Sequence, residues 1–494
     1  MTASTPITRT RILATLGPAS WDPACVRAML EAGASGFRLN FSHGRHDVLH
    51  EVVRTVHHQA AELGRPVCLV ADLCGPKLRT GRIAGTREVL LRSGEEVLLS
   101  PGFEFTEPGR IAVDPEVFSG RIDPGTRILL SDGKLELEVL EVQPDVVRAR
   151  VLHGGRLGSH KGVNLPTVKL EIPSLSEKDS ADLDFALAHD FEFIALSFVR
   201  EARDIVDVKQ RIAEAGRTAG VIAKIESPLA VRNLDALLQV SDGIMVARGD
   251  LGVELGTEVL PVVQKQIIRT ARQQGKLVAT ATQMLGSMTH APRPTRAEAS
   301  DVANAVFDGS DVVMLSEETA IGKFPVRAVQ TMSRIVANAE RSDLYKEMAA
   351  LHRPAGEGVA HAAIRAACVA AEQLGARAIV PFTESGWTAY TLASYRPSVS
   401  ILACTPDPRS YNRLALAWGV MPFLVPVGGN INDLYVEGMR SLIKGGAIGA
   451  GDMVVLISGS VVGGTGANTI KIYRVGTADL AEDAETRRRL LDLI

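Results

Sequence analysis

Eight short apolar runs recur along this chain, most of them separated by a helix-length amphipathic stretch. They are RILATLG (11–17), GFRLNFS (36–42), VCLVADL (67–73), FIALSFV (193–199), GVIAKIE (220–226), GIMVARG (243–249), KLVATATQ (276–283) and DVVMLSE (311–317). Runs this apolar suit strands buried on both faces of a parallel sheet, and parallel strands need a long crossover between them. Eight such units predict a closed (β/α)8 TIM barrel, whose chemistry gathers at the C-terminal rim of its strands. The polar residues that end each run are where a site belongs.

One gap breaks the rhythm. Residues 74–175 carry short alternating runs and turn glycines, as in REVLLRSGEEVLLS, with no helical period. This predicts an all-β lid domain inserted after the third strand, hinged at Gly75-Pro76 and Pro173 and able to close over the rim. From about residue 345 the alternation restarts. GVAHAAIRAACVAAEQLGA reads as a helix, ARAIVPFTESGWTAYTLASY as strand, loop and helix, and SVSILACTPD and DMVVLISGS as further strands. The expected division is a barrel of residues 1–74 and 175–344, a β lid of 75–174, and a C-terminal three-layer α/β domain of 345–494.

Composition narrows the function class. The 494 residues are 46% hydrophobic and 22% charged, with a net charge of −3, so no broad basic face for nucleic acid is expected. No signal-peptide pattern and no long uncharged apolar run is visible, so a cytoplasmic protein that neither spans a membrane nor is secreted is expected. Cys25, Cys68, Cys74, Cys368 and Cys404 lack CxxC spacing and read as free thiols in a reducing compartment.

Lys224 and Glu226 lie two apart, so they point to one side of the fifth strand, and Asp250 follows the sixth. Two hard oxygen ligands with an ammonium beside them suggest Mg2+ and a phosphorylated substrate. The plainer reading is a buried ion pair of Lys224 with Glu226 or Asp250. Arg38, Asn40 and Ser42 alternate with Phe37, Leu39 and Phe41, which puts a phosphate-binding guanidinium and two oxygen donors on one face, with His43 at the strand tip. Asp72 ends the third strand toward the same rim and forms an oxygen-rich pocket with Asn40 and Ser42, which the ammonium of Lys77 suits; a solvated hinge lysine is the alternative. The amides of Gly249 and Asp250 open a short helix, where free N–H groups hold a carboxylate. Thr282 brings a hydroxyl to the rim or caps the next helix. Ser316 and Glu318 end the eighth strand, and Arg296, Glu298 and Asp301 read as a helix start. In the last domain, Thr383, Ser385, Gly386 and Thr388 form a hydroxyl and glycine loop opening a helix. A second glycine-rich loop, 459–469, lacks the lysine of a nucleotide P-loop, and the two together suggest a non-catalytic anion site.

The strings TLGPAS, RLNFSHG, LGSHKGVNLP, AKIES, SDGIMVARGDLGVE, ATQML, PRPTRAEASDVANAV, MLSEETA and TESGWTA, in this order and over nearly the whole chain, resemble the pyruvate kinase family. The resemblance implies transfer of the phosphoryl group of phosphoenolpyruvate to ADP, giving ATP and pyruvate, with Mg2+ (or Mn2+) as cofactor and a homotetramer as the assembly. It implies that Glu226 and Asp250 hold the metal and that Lys224 and Arg38 stabilise the transferring phosphoryl. Gly249, Asp250 and Thr282 would bind the substrate carboxylate. His43, Arg79, Lys178 and Asn40 would contact nucleotide and phosphate. Ser316 would complete a proton relay with Thr282 through water. Thr383, Ser385, Gly386 and Thr388 would bind a phosphorylated effector, a sugar phosphate or AMP.

The chain departs from the family pattern at Lys77, where potassium-dependent members carry a glutamate. The potassium pocket would comprise Asn40, Ser42, Asp72 and the Leu73 carbonyl, and the expectation is that the Lys77 ammonium replaces the ion, so that added K+ is not required. Glu317, Ser227 and Gly286 stand where glycine, asparagine and glutamate are usual. Two rivals remain: another Mg2+- and enolate-using barrel enzyme, separated by lack of ADP dependence, and an inactive metabolite sensor, separated by binding without turnover.

Overall fold

In a computed structural model, residues 8–42, 44–83, 87–102, 106–166, 168, 172–351, 354, 356–426, 431–459 and 466–476 are described. His43 and residues 460–465 of the second glycine-rich loop lie outside them. The eight apolar runs form strands Arg11–Leu16 (β1), Ala34–Asn40 (β2), Cys68–Asp72 (β3), Phe193–Leu196 (β4), Gly220–Ile225 (β5), Gly243–Ala247 (β6), Leu277–Ala281 (β7) and Val312–Leu315 (β8). They close into one barrel in sequential order, β8 pairing with β1, every pair parallel. Burial explains the closure: Ile194, Val221, Ile244, Val278 and Val313 pack outward against the helices, while Val70, Ala195, Ile222, Met245 and Met314 fill the interior.

Among its described residues, the regular elements of the inserted stretch are strands and one 3-10 turn at Pro115–Ser119. Its six-stranded sheet is built on the long hairpin Leu135–Gln143 and Val146–His153, and alternating residues such as Leu137, Val139, Val147 and Ala149 make a core of its own. Gly75 sits where the chain leaves the barrel. Its φ is +69°, and a Cβ there would come within 2.9 Å of the Ser197 side chain, so only glycine fits.

The C-terminal sheet runs in the order Val420–Leu424, Ser400–Thr405, Ala378–Pro381, Met453–Ser458, Thr469–Arg474, parallel except for the last strand. Sequence reading missed both edge strands, Val420–Leu424 and Thr469–Arg474, which are partly exposed. Between these units, Ala415 and Leu416 join the interior cluster of the barrel and plug its floor, the end opposite the rim. No helix among the described residues is long and apolar enough to cross a membrane, and all five cysteines are free.

Candidate active site at the barrel rim

The ends of β2, β3 and β5 bring four charges together. Arg38 Nε donates to Asp72 Oδ2 at 2.5 Å, and its Nη1 reaches Thr15 Oγ1 at 3.1 Å. Lys224 Nζ lies 3.1 Å from Asp72 and 2.9 Å from Glu226 Oε1, and it donates to Ser197 Oγ at 2.6 Å. Glu226 takes its second bond from the Phe198 N–H at 2.6 Å. The plainer reading, an ion pair of Lys224 with Glu226, is therefore present. It is one edge of a network rather than an isolated bridge.

The electrostatics separate the roles of these groups. Burial alone would raise the Asp72 carboxyl, but Arg38 and Lys224 outweigh it and hold it below the ordinary carboxylate range. Burial alone would lower Lys224, yet Asp72 and Glu226 push it above an ordinary lysine and favour its charged form. Glu226 is raised: its burial and the nearby Asp250 charge oppose ionisation and prevail over Lys224. A buried carboxylate whose ionisation a neighbouring carboxylate opposes suits a cation shared with it. Among the described residues no group of three or more His, Cys, Asp or Glu is arranged to hold a metal. A metal on Glu226 and Asp250 would take its other ligands from substrate oxygens and water, the usual manner of Mg2+ binding.

Asp250 lies in the first turn of the helix Arg248–Leu255, as its sequence position suggests. The Gly249 N–H of that turn donates to Thr282 Oγ1 at 2.9 Å. Thr282 has φ of +70° and the following Gln283 +54°, a backbone that L-residues hold only when neighbours fix it. Arg248, unremarked in the sequence, is what fixes it. Its guanidinium donates to the carbonyls of Ala281 and Thr282 at 3.1 and 2.7 Å and pairs with Asp301 at 2.7 Å. Ser197 was also missed, although it occupies the same polar strand-end position that singled out Glu226 and Asp72.

Ser316 ends β8 with a buried Oγ that has no hydrogen-bond partner. Glu318 fixes that corner by accepting from the backbone N–H of Ser316 at 2.7 Å and of Leu285 at 2.9 Å. Lys77, Gly249, Asp250, Thr282 and Glu317 line one cleft of about 1520 Å3 between rim and lid.

Lys77 is not where the sequence placed it. Its Nζ lies 3.9 Å from both Asp250 Oδ1 and Asp132 Oδ1, away from the pocket of Asn40, Ser42 and Asp72. The oxygens of that pocket are already engaged: Asp72 by Arg38 and Lys224, the Leu73 carbonyl by the Ser197 hydroxyl at 2.7 Å, and Asn40 Oδ1 by the Ser42 N–H at 3.1 Å. Arg79 donates to the His160 carbonyl within the lid. Lys178 donates to the Phe41 carbonyl at 2.7 Å beside the end of β2 and is held there by Asp182 at 2.6 Å. Glu298 makes the capping box of its helix with Thr295, as its position near the helix start suggests. Ser227 caps the helix after β5. A Cβ at Gly286 would lie 3.8 Å from a Glu298 carboxylate oxygen, so a glutamate there would meet like charge.

In the C-terminal domain, Thr383 Oγ1 accepts the Gly386 N–H at 3.0 Å, and Gly386, with φ of +84°, opens the helix Trp387–Ser394. Thr383, Ser385 and Thr388 face a cavity of about 1100 Å3 that Gly459, Gly466 and Arg413 also line.

Comparison with known proteins gives one family throughout. Residues 7–329 match the family described as pyruvate kinase, barrel domain, and residues 361–473 match pyruvate kinase, alpha/beta domain. Pyruvate kinase 2 of Synechocystis sp. is 42% identical over 466 residues, which cover 94% of this chain and 78% of that protein. The pyruvate kinase of Methylorubrum extorquens is 42% identical over 478 residues, 96% of this chain and 99% of that protein. A crystal structure of a pyruvate kinase from Cryptosporidium parvum superposes with a TM-score of 0.88 at 36% identity, covering 94% of this chain and 96% of that one.

Proposed function

The chain belongs to the pyruvate kinase family, a family of phosphotransferases, and we propose that its barrel rim transfers the phosphoryl group of phosphoenolpyruvate to ADP with Mg2+, giving ATP and pyruvate. The observation that carries this reading is the Lys224 ammonium held between Asp72 and Glu226 at 3.1 and 2.9 Å. A fixed cation there meets charge as it develops on the phosphoryl oxygens and on the enolate left behind.

Arg38 binds the phosphoryl group. The N-terminal turn carrying Gly249 and Asp250 takes the carboxylate, with Thr282 releasing the Gly249 N–H to it. Glu226 and Asp250 would hold Mg2+, which when bound neutralises phosphoryl charge as a Lewis acid. The enolate must finally be protonated at carbon. We assign the relay to Thr282, a water and the unpartnered Ser316 hydroxyl. Asn40, Lys178 and Arg79, together with His43, are assigned to the nucleotide and its phosphates.

Activity does not require added K+, and Lys77 holds its ammonium at the lid junction, 3.9 Å from Asp250. The cavity at Thr383, Ser385, Gly386 and Thr388 takes a phosphorylated activator, a sugar phosphate or AMP. The protein works in the cytoplasm as a homotetramer, for which the exposed Val359 and Ile472 offer apolar surface. The barrel, lid and C-terminal domain divide near residues 74, 175 and 345.

Pyruvate formation is measured with phosphoenolpyruvate, ADP and Mg2+, each omitted in turn. Turnover only with all three is expected. Turnover without ADP would point to a different enolate-using barrel enzyme, and phosphate-ester binding with no turnover to a sensor.

A further inference from the structure

A third cavity, of about 610 Å3, lies away from both sites described above, where the last barrel helix Pro325–Arg341 and the connecting helix Asp343–Leu351 meet the C-terminal helix Val359–Gln373. Five cationic side chains line it: Arg9, Arg341, Lys346, Arg365 and Arg396. The carboxylates on its wall are Glu340 and Glu372. Glu340 is already committed to the backbone N–H groups of Arg9 and Thr10 at 2.9 and 2.5 Å.

Behind the wall the imbalance deepens. Arg396 is 2% exposed and pairs with Asp311 at 2.7 Å, yet its Nε is buried without a partner. Arg272, also 2% exposed, leaves Nε and Nη2 unpartnered and has the same Asp311 as its nearby carboxylate. Burial, and then the Arg396 charge, bring the Arg272 guanidinium down to about 10, a sign that the site lacks negative charge. The Arg9 and Arg396 guanidiniums both lie over the Trp418 ring, their Cζ atoms 5.4 and 4.5 Å from its centre. The Arg396 Nη atoms also donate to the Ala393 and Gly309 carbonyls at 3.0 and 2.7 Å, so their hydrogen bonding is met. The two buried guanidiniums still share one carboxylate and leave a net positive charge that an outside counter-ion would offset.

We propose that this cavity is a binding site for a small-molecule phosphate, either the free ion or a phosphate monoester, whose phosphoryl group pairs with Arg341 and Arg365. A dianion matches the excess of positive charge, and guanidiniums take phosphoryl oxygens bidentately. Tyr345, Tyr395 and Val369 leave apolar room for the body of an ester. The ligand bridges the barrel and the C-terminal domain from a place that neither the rim nor the 383–388 loop reaches.

The test is titration calorimetry of the full-length protein with inorganic phosphate and with glycerol 3-phosphate, on the wild type and on Arg341→Ala/Arg365→Ala. Both arginines are exposed, so the variant should fold and keep its turnover in phosphate-free buffer. The expected result is a class of site that weakens at least tenfold in the variant. Tighter binding of the ester in the wild type would identify an ester as the ligand, and equal binding the free ion. Crystals soaked in tungstate should show an anomalous peak in the cavity of the wild type alone. Isotherms unchanged by the double substitution, or a cavity empty of tungstate, overturn the proposal.

Discussion

Lys224 is the residue on which the chemistry turns, because it is the cation that Asp72 and Glu226 are both arranged around. Lys224→Met keeps the volume and removes the charge. It should lower kcat by about 10²–10³, the usual effect of deleting one electrostatic donor. It should also lower the melting temperature, since Asp72 then keeps only Arg38 and the buried Glu226 loses its ammonium partner. Ser316→Ala removes a hydroxyl that bonds to nothing here, so stability should hold while kcat falls. Unchanged kcat would remove Ser316 from the relay. Far from the rim, Glu192 accepts the Leu69 N–H at 2.7 Å, and burial raises its carboxyl to about 8. Its contribution to stability is fully present below about 4.5, the unfolded value, and is lost as pH rises through about 8. Glu192→Gln keeps the acceptor and drops the charge. Melting curves across that window should show the wild type losing ground to the variant as pH rises; parallel curves would refute the assignment. Residues of the rim were legible because a strand end that turns polar is visible in one dimension. Ser197 passed the same filter unnoticed, being neither charged nor bulky. Arg248 was illegible, since its partners are backbone carbonyls that only the fold brings close.

At the scale of elements, the eight strands were readable from their apolar runs, and the lid from its alternation. What no local pattern contains is how the lid meets the barrel. Here the turn Ser131–Asp132–Gly133, with φ of 55°, 57° and 79°, rests on the helix Arg248–Leu255, and Asn164 donates to Glu254 at 3.1 Å. Lys77 stands between Asp132 and Asp250 at that same junction. The sequence placed this lysine in the Asp72 pocket because a charge's nearest chain neighbours are easier to see than its neighbours across a hinge. Any work it does as a tethered cation is therefore proposed at this junction and not in the Asp72 pocket. Lys77→Glu should make activity depend on added KCl. A variant equally active with and without potassium would end the idea.

At the scale of the molecule, the floor of the barrel is closed by the C-terminal domain. Leu416, 1% exposed, joins Leu13, Cys68 and Phe193 in the interior cluster. Tyr390, from the helix that the 383–388 loop opens, packs against that cluster and donates to the Arg413 carbonyl at 2.7 Å. The two units therefore share core, and Leu416→Ala should cost about 2–5 kcal/mol. Calorimetry should show the barrel and the C-terminal domain melting together and earlier. A barrel transition left unmoved would mean that the plug is only a contact. The central claim, phosphoryl transfer at the rim, is tested most directly by following pyruvate formation from phosphoenolpyruvate and ADP in potassium-free buffer. Mg2+ is added first, and KCl afterwards. The account predicts turnover that appears with Mg2+ and is little changed by KCl. Absence of pyruvate under every condition, from a protein that folds and binds phosphoenolpyruvate, would contradict it.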